Sequence, residues 1–445
     1  MQQRTAIIGG GLAGSEAAYI LARAGLEVDI LEMKPESFSP AHQSPDLGEL
    51  VCSNSLRSED VLSAVGLLKQ EMREAGSLIM QAADETRVPA GKALAVDRQR
   101  FSAEITRCLQ DMSLVRILRK EVRGLQDPVL NGYSKVLVAA GPLPGQGLSQ
   151  SLIELTGGED LYFYDAIAPI VSADSLSWDR IFWGSRYEPE GEDYLNCPLS
   201  EQEYYALRQE LLAGEKVKLK EFEDLVHFEG CLPVETLAER GELTLAFGPL
   251  KPVGLVDPRT GDRPFAVVQL RAENQERTMF NLVGFQTKLT YAEQQRIFRM
   301  IPGLEQARFE RLGSMHRNTF VNAPKVLRFP ELELRAAPGV HLAGQITGVE
   351  GYVESAACGL WAGACLAVLL KQGGLLPPPP AETALGGLLR HLCLPRKDFQ
   401  PMNVNFGLLP PLKGKVKKQK RKEIYLQRAR EHWEEWLQAV SWQKI

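Results

Sequence analysis

The sequence is poor in the residues that build disulfide frameworks and metal sites. Its 445 residues include seven cysteines, an odd number, and six histidines. No two cysteines have CxxC spacing and no Cys/His cluster has the spacing of zinc ligands, so we expect neither a redox-active disulfide nor a metal. Unpaired cysteines are typical of a reducing compartment, which favours a cytoplasmic protein.

Positive net charge and long apolar runs are also missing. The formal net charge of −5 argues against a globally basic nucleic-acid-binding protein, although a local basic patch stays open. The Ala/Gly-rich segment 356–370 is shorter than the ~20 residues of a membrane span, so we predict a buried helix and no membrane segment. The chain is too long for one hydrophobic core, which predicts two domains and a tail.

The N-terminal residues combine apolar runs with a glycine turn. Residues 5–8 predict a strand, 15–24 an Ala-rich helix, and 26–31 a second strand that ends in Glu32. A G-x-G-x-x-G turn lets the backbone approach a pyrophosphate at a helix N-terminus, and the acidic residue accepts a ribose hydroxyl. The pattern predicts a dinucleotide site; the alternative is a Gly-rich turn without a ligand. The predicted binding residues are Gly9, Gly10, Gly11, Leu12, Ala13, Gly14 and Glu32.

Two later glycine turns predict that the nucleotide-binding domain is discontinuous. A strand-like run at 135–141 ends at Gly141, and a short strand from 340 leads into Gly344 and Gln345 before a helix from about 353 to 370. We therefore predict an α/β fold. Its parts are a Rossmann-like domain from 1–150 plus 331–375, an inserted α+β substrate domain at 151–330, and a Pro-rich boundary with a basic helical segment at 376–445.

Two cysteines are candidates for nucleophilic chemistry. Cys231 stands just ahead of a helix predicted to start at Pro233, and Cys52 precedes a helix predicted near Glu59, with Arg57 as a cationic neighbour. Helix N-termini and cations stabilise a thiolate, which is the nucleophilic form. The alternative for each is a small buried apolar residue.

Six blocks of sequence resemble one family. They are ELVCSNSLRS (49–58), AVGLLKQEMR (64–73), VPAGKALAVDR (88–98), FEGCLPVE (228–235), ERGELTLAFGPLKPVGL (239–255) and GQITGVEGYVESAACGLWAG (344–363). The family is the folate-dependent, flavin-using tRNA (uracil-5-)-methyltransferases. The glycine-rich GGGLAGSEAA is less specific, because the wobble-uridine modification flavoproteins of the GidA type share it.

The resemblance implies a glutathione-reductase/GidA-like FAD domain and methylation of uracil C5 in the T-loop of tRNA. It implies that 5,10-methylenetetrahydrofolate supplies the carbon and that NAD(P)H supplies electrons through FAD. The N-terminal glycine turn falls on the family's FAD loop, and Gly344-Gln345 matches the family's form of that turn. Cys52 and Cys231 fall on its two functional cysteines. Our hypothesis is that Cys231 attacks uracil C6 and Cys52 assists at the flavin, although the reverse division stays open.

Substrate capture needs aromatic and basic groups. His316 and Tyr352 are candidates for stacking a pterin or a base, and Arg317 and Lys288 for meeting the folate glutamate or an RNA phosphate. The run 413–422, with seven basic residues in ten, either binds the tRNA backbone or is a solvated helix end.

Two other functions stay open, namely a wobble-uridine modification flavoprotein and a non-catalytic RNA-binding flavoprotein. The oligomeric state and the choice between NADH and NADPH are open as well.

Overall fold

Strands and helices alternate along the first third of the chain. The computed structural model describes residues 4–157, 161–188, 191–217, 232–396, 399–412, 414 and 416–445. The first elements are β1 (Thr5–Ile8), α1 (Leu12–Arg23), β2 (Val28–Glu32), β3 (Ser55–Ser58), α2 (Ala64–Glu74), α3 (Leu78–Glu85), β4 (Arg87–Val88), β5 (Ala93–Val96), α4 (Arg98–Asp111), β6 (Val115–Arg119), β7 (Lys135–Val138) and α5 (Gln146–Leu155).

The rest of the chain is richer in short strands, with a long helix near its end. The middle contains β8 (Leu161–Ala166), β9 (Ile170–Ser172), β10 (Phe182–Gly184), β11 (Tyr194–Leu199), α6 (Glu201–Ala213), α7 (Val234–Glu239), α8 (Thr244–Phe247), β12 (Ala266–Ala272), β13 (Met279–Leu282), α9 (Tyr291–Phe298), β14 (Phe309–Arg311) and β15 (Met315–Phe320). The last elements are α10 (Ala323–Val326), β16 (Leu327–Arg328), β17 (Glu333–Leu334), β18 (Val340–Leu342), α11 (Tyr352–Gln372), α12 (Ala384–Cys393) and α13 (Arg421–Ala439).

The first strand lies inside a seven-stranded sheet of order β16-β17-β18-β7-β1-β2-β6. The neighbours from β18 to β6 pair in parallel, whereas β16 and β17 pair antiparallel at one edge. Every residue of β1 and β2 is buried, as expected for parallel strands covered on both faces. This sheet confirms the predicted α/β fold with a Rossmann-like nucleotide-binding unit.

Small residues let α1 and α11 cross at very short range. A Cβ atom built on Gly359 would lie 2.2 Å from the Ala13 carbonyl oxygen, and one on Gly363 would lie 2.9 Å from Ala17 Cα. The two helices therefore meet backbone to backbone. This contact holds the C-terminal part of the chain against the helix that follows the first glycine turn.

Helix α11 is the buried helix predicted at 356–370. Within the described residues it alone is long and apolar enough to cross a membrane, and 89% of its most apolar window is buried inside the protein. Cys358 and Cys365 on this helix are buried in the apolar core.

The middle of the chain builds a second core around an antiparallel sheet of order β10-β11-β12-β13-β9-β14. A two-stranded ribbon, β8 with β15, lies at its junction with the first sheet. Thr319 N, near the end of β15, donates to Pro142 O (2.8 Å), and Val321 N, just after it, donates to Ile346 O (2.8 Å), so the ribbon reaches both later glycine turns. The boundaries at 150/151 and 330/331 stay a prediction. The seven-stranded sheet takes its strands from 5–138 and 327–342.

The C-terminal helices pack on the first core. The carboxylate of Glu71 on α2 accepts from the amides of Ala384 (2.7 Å) and Leu385 (2.8 Å), which caps the N-terminus of α12. Burial raises the pKa of Glu71 to about 8. Trp433 and Trp436 of α13 are buried and stack with ring centroids 5.0 Å apart.

Candidate functional site

A large cavity opens where the parallel strands of the seven-stranded sheet end. It encloses about 1040 Å³, including its solvent-open mouth, and loops after β1, β2, β7 and β18 line it. In such sheets, ligands bind outside the carboxyl ends of the strands. The structure brings nine predicted site residues to this cavity, namely Gly9, Gly11, Leu12, Ala13, Glu32, Gly141, Gly344, Gln345 and Tyr352.

The glycines of the first turn are needed for different physical reasons. Gly9 has a φ of +99°, which L side chains rarely adopt, and a Cβ on Gly14 would lie 1.9 Å from the Gly9 carbonyl oxygen. Both are required by the fold itself. Gly11 is different, because its φ is −73° and a Cβ there would meet no described atom within 4 Å. The space beside Gly11 therefore belongs to the cavity.

Glu32 is fixed by backbone amides at the far end of the turn. Its Oε2 accepts from Gly10 N (2.7 Å) and its Oε1 from Lys34 N (2.9 Å). A carboxylate oxygen accepts more than one hydrogen bond, so both oxygens keep capacity for ribose hydroxyls. Gly10 holds Glu32 through its amide. Neither Gly10 nor Gly14 lines the cavity.

The arrangement fits an extended dinucleotide such as FAD. An α-helix N-terminus with open space at Gly11 suits a pyrophosphate, and Glu32 suits the adenosine ribose. Gly141 and Gly344 lie at the same cavity on the other side of the first strand, where there is room for the rest of the molecule.

The last glycine turn packs directly on the first. Gly344 has a φ of +79°, and a Cβ on it would lie 2.7 Å from Ala13 Cβ. Gln345 Nε2 donates to Glu350 Oε2 at 2.6 Å. Burial, with the nearby Asp165, holds the pKa of Glu350 well above its usual range. Glu350 thus fixes the Gln345 amide at the cavity wall.

Cys52 adjoins the cavity through Tyr352. The Tyr352 hydroxyl accepts from Cys52 N (2.7 Å) and Ser53 N (3.2 Å), and Cys52 Sγ donates to Ala166 O (3.7 Å). Burial is the main cause that raises the pKa of Tyr352, and Cys52 adds to it. Tyr352 therefore stays a neutral phenol whose hydroxyl holds the Cys52 loop, and its predicted stacking role stays a prediction.

The helix predicted near Glu59 is wrong. Residues 55–58 form β3, and α2 starts only at Ala64, after Ser63 caps it by accepting from Gly66 N. Cys52 is therefore not at a helix N-terminus. The guanidinium of Arg57 hydrogen bonds to Glu354 of α11.

Three arginines near Cys52 were not found from the sequence. Arg98 of α4 pairs with Glu273 (2.9 Å), and Arg271 of β12 donates to Asn54 and Ser53 (2.8 and 2.7 Å). The third, Arg311 of β14, donates to Ala41 O (3.0 Å). All three interact electrostatically with Cys52. They come from distant segments, so no local sequence pattern predicts that they meet near Cys52.

Two neutral histidines complete this region. Burial and the charge of Arg311 lower the pKa of His316 to about 4, and its Nε2 lies 2.9 Å from Ser314 Oγ. Burial and Lys34 lower the pKa of His42 to about 4, and His42 lines the cavity. At neutral pH both rings are uncharged, so each offers a flat face and a hydrogen-bonding nitrogen.

The other predicted residues are more scattered. The Arg317 guanidinium lies 4.0 Å from the centroid of the Tyr162 ring, across the two-stranded ribbon. Lys288 Nζ donates to Thr236 Oγ1 (3.1 Å) on α7. Cys231 lies outside the described residues, which resume at Leu232 just before α7. Their functional roles, like those of the residues lining the cavity, stay predictions.

Known proteins resemble the chain along nearly its whole length. The family model of glucose inhibited division protein A matches residues 4–373. A relative from Oleidesulfovibrio alaskensis, named methylenetetrahydrofolate–tRNA-(uracil-5-)-methyltransferase TrmFO, is 61% identical, covering 97% of this chain and 96% of its own. A relative of the same name from Geobacter sulfurreducens is 58% identical, covering 98% and 99%.

A solved structure shares the fold. The form I crystal structure of Aquifex aeolicus GidA superposes with a TM-score of 0.68 at 16% identity, covering 99% of this chain and 78% of that one. The chain thus belongs to the glucose inhibited division protein A family and, within it, to the methylenetetrahydrofolate–tRNA-(uracil-5-)-methyltransferases.

Proposed function

We propose that this protein methylates C5 of the T-loop uridine in tRNA, using 5,10-methylenetetrahydrofolate as carbon donor and NAD(P)H as reductant through FAD. The observation that carries the proposal is the position of Cys52. It lies beside Tyr352 on the dinucleotide cavity, in a chain with relatives of this named activity at 53–62% identity.

FAD is held along the cavity. The first glycine turn binds its pyrophosphate, Glu32 its adenosine ribose, and Gly141, Gly344 and Gln345 the flavin half. Bound FAD supplies the hydride that converts the transferred methylene to methyl.

Uracil C5 is too weak a nucleophile to attack a folate methylene without activation. A cysteine thiolate that adds to C6 makes the ring an enolate and C5 a nucleophile. We assign this attack to Cys231 and the supporting role to Cys52, because Cys52 lies next to the flavin cavity. A gel-stable adduct between Cys231→Ala and tRNA carrying 5-fluorouridine would contradict the assignment.

The neutral ring of His316 stacks the pterin or the target base. Arg317 and Lys288 contact the folate glutamate or RNA phosphates. The target uridine is stacked inside a folded loop, so it must leave the stack to reach the cavity.

The basic run near the C-terminus contacts the tRNA backbone. Asn403 donates to Glu350 O (2.6 Å) and Val404 N to Glu354 (2.8 Å), which ties the preceding segment to the start of α11. The basic run begins nine residues after Val404. Its exposed side chains include Lys417, Lys420, Arg421 and Lys422.

One reaction tests the function. Purified protein receives unmodified tRNA transcript, methylene-labelled folate and NAD(P)H, and the labelled nucleotide is identified. We expect label at C5 of the T-loop uridine, and none with Cys52→Ala or Cys231→Ala. The matched control Cys393→Ala, a partly exposed thiol on α12, retains activity. Label at the wobble uridine would favour the GidA-type alternative, and methylation unaffected by either site substitution would refute the cysteine mechanism.

A further inference from the structure

Residues 52–54, the Cys52 loop, are fixed at one end by a buried amide. Asn54 Nδ2 donates to both Val96 O and Ala272 O (2.9 Å each), and Asn54 Oδ1 accepts from Arg271 Nε (2.8 Å). The Asn54 residue is 0% exposed. Because both donors and the acceptor of this amide are engaged, its orientation is fixed. The loop is therefore anchored to the ends of β5 and β12.

The Arg271 guanidinium holds the same loop at a second point. Its Nη2 donates to Ser53 Oγ (2.7 Å), next to its contact with Asn54. Arg271 is 6% exposed, and its hydrogen-bond partners among the described residues, which include the Tyr194 phenol, are uncharged. A buried cation with neutral partners costs folding free energy. Core stability therefore gives no reason for a guanidinium at this position, whereas its rigid fork, which fixes two acceptor oxygens relative to each other, does.

The Cys52 loop is held from its other side by α11. The Tyr352 hydroxyl accepts from Cys52 N (2.7 Å) and Ser53 N (3.2 Å). Helix α11 belongs to the first core, whereas β12, which carries Arg271, belongs to the second. The place of Cys52 beside the cavity is thus set by contacts from both cores, with Arg271 as the contact from the second core.

We propose that Arg271 is a positioning residue that fixes Cys52 at the edge of the flavin cavity. The inference rests on the proposed function, in which Cys52 supports the methyl transfer. Arg271 acts through Ser53 and Asn54 and not on the substrate. Catalytic groups work only in a narrow range of positions, and a displacement of about 1 Å costs roughly 100-fold in rate.

The first measurement reports on Cys52 in the absence of substrate. Holoenzyme is treated with iodoacetamide, and alkylation of Cys52 is quantified by peptide mass spectrometry against Cys393, a partly exposed thiol on α12. We expect Arg271→Gln to raise the Cys52-to-Cys393 labelling ratio about tenfold or more, the effect of losing a hydrogen bond to a charged group. Arg271→Lys restores part of the difference, because an ammonium reaches one of the two oxygens. Ser53→Ala raises the ratio on its own and adds little in the Arg271→Gln background.

The second measurement separates positioning from binding. In the tRNA methylation assay we expect Arg271→Gln to lower kcat by about 100-fold. The KM values for tRNA and for 5,10-methylenetetrahydrofolate stay at wild-type values, as does the FAD content. Arg271→Lys recovers part of kcat.

The matched control is Arg259→Gln. The Arg259 guanidinium also joins two segments of the middle of the chain, through Asp257 (2.6 Å) and the Asp179 carbonyl, and it has no contact with the Cys52 loop among the described residues. This variant leaves the labelling ratio and kcat unchanged. An equal rise of the ratio in Arg259→Gln overturns the inference, because it assigns the effect to general loosening of the second core.

Other outcomes also decide the role of Arg271. A wild-type labelling ratio in Arg271→Gln overturns the inference, whether or not kcat falls, because Arg271 then does not act through Cys52. If Arg271→Gln fails to fold, an unchanged ratio in Ser53→Ala overturns it. Absence of methylation by the wild-type protein overturns the proposed function, and the labelling ratio still decides whether Arg271 fixes Cys52.

Discussion

Replacing Gly11 by alanine separates the demands of the fold from those of the ligand. The backbone at Gly11, with φ −73° and ψ −169°, is open to any L residue, and the added Cβ meets no described atom within 4 Å. Alanine stabilises by about 0.4–1 kcal/mol through the unfolded chain. It loses up to about 1 kcal/mol as a poorer helix N-cap. The two effects nearly cancel.

We therefore expect the FAD-free Gly11→Ala protein to unfold within about 1 kcal/mol of wild type. FAD binding weakens at least tenfold, about 1.4 kcal/mol, because the methyl group occupies space needed by the pyrophosphate. Flavin fluorescence titration gives the affinity. Denaturant unfolding with and without FAD gives the stability, and ligand-induced stabilisation falls with the affinity.

Gly14→Ala provides the contrast. Its Cβ would lie 1.9 Å from the Gly9 carbonyl oxygen, so the FAD-free protein itself loses about 1–3 kcal/mol. Wild-type FAD affinity in Gly11→Ala would refute the assignment of this turn to the pyrophosphate.

Three further predictions concern other parts of the chain. Glu71 contributes stability that is complete below pH 4.5 and is lost as the pH rises toward its folded pKa of about 8. The free energy of unfolding thus falls by at most about 1.4 kcal/mol per pH unit on this account, and Glu71→Gln flattens the fall in denaturant titrations; an unchanged profile contradicts it. Gly359→Ala forces α11 away from Ala13, which lowers the free energy of unfolding by about 1–3 kcal/mol and weakens FAD retention. Gly374→Ala, with open space around it, is neutral in the same assays. Replacing Lys417, Lys420 and Lys422 by glutamine lowers the salt dependence of tRNA binding by up to about three units of slope, measured by filter binding between low and high salt; an unchanged slope removes the tail from the interface.

Local patterns were sufficient for the nucleotide-binding part of the fold. The strand at 5–8 is confirmed without change, and the helix predicted at 353–370 is found at Tyr352–Gln372. These elements have a strong apolar periodicity or are bounded by glycine residues, so neighbouring residues alone determine them. The first helix starts at Leu12 instead of 15, because Gly11 caps it directly.

The region around Cys52 could be predicted only in part. Cys52 and Tyr352 were candidates from their residue type and sequence surroundings, but Arg98, Arg271 and Arg311 come from α4, β12 and β14. The spacing of these arginines in the sequence does not predict that their three distant segments meet. The helix expected near Glu59 fails for a related reason. Residues 55–58 pair with β5, and that pairing overrides the local polar signal.

The close crossing of α1 and α11 has a consequence for the nascent chain. The first glycine turn is synthesised well before Gly344 and Gly359, which pack against the helix that follows it. At about 5–20 residues per second, roughly 17–70 s separate Gly11 from Gly359. During that interval β7 lacks its neighbour β18 and presents an open edge. Flavin capture is thus a late event in biosynthesis, although the first glycine turn is synthesised much earlier.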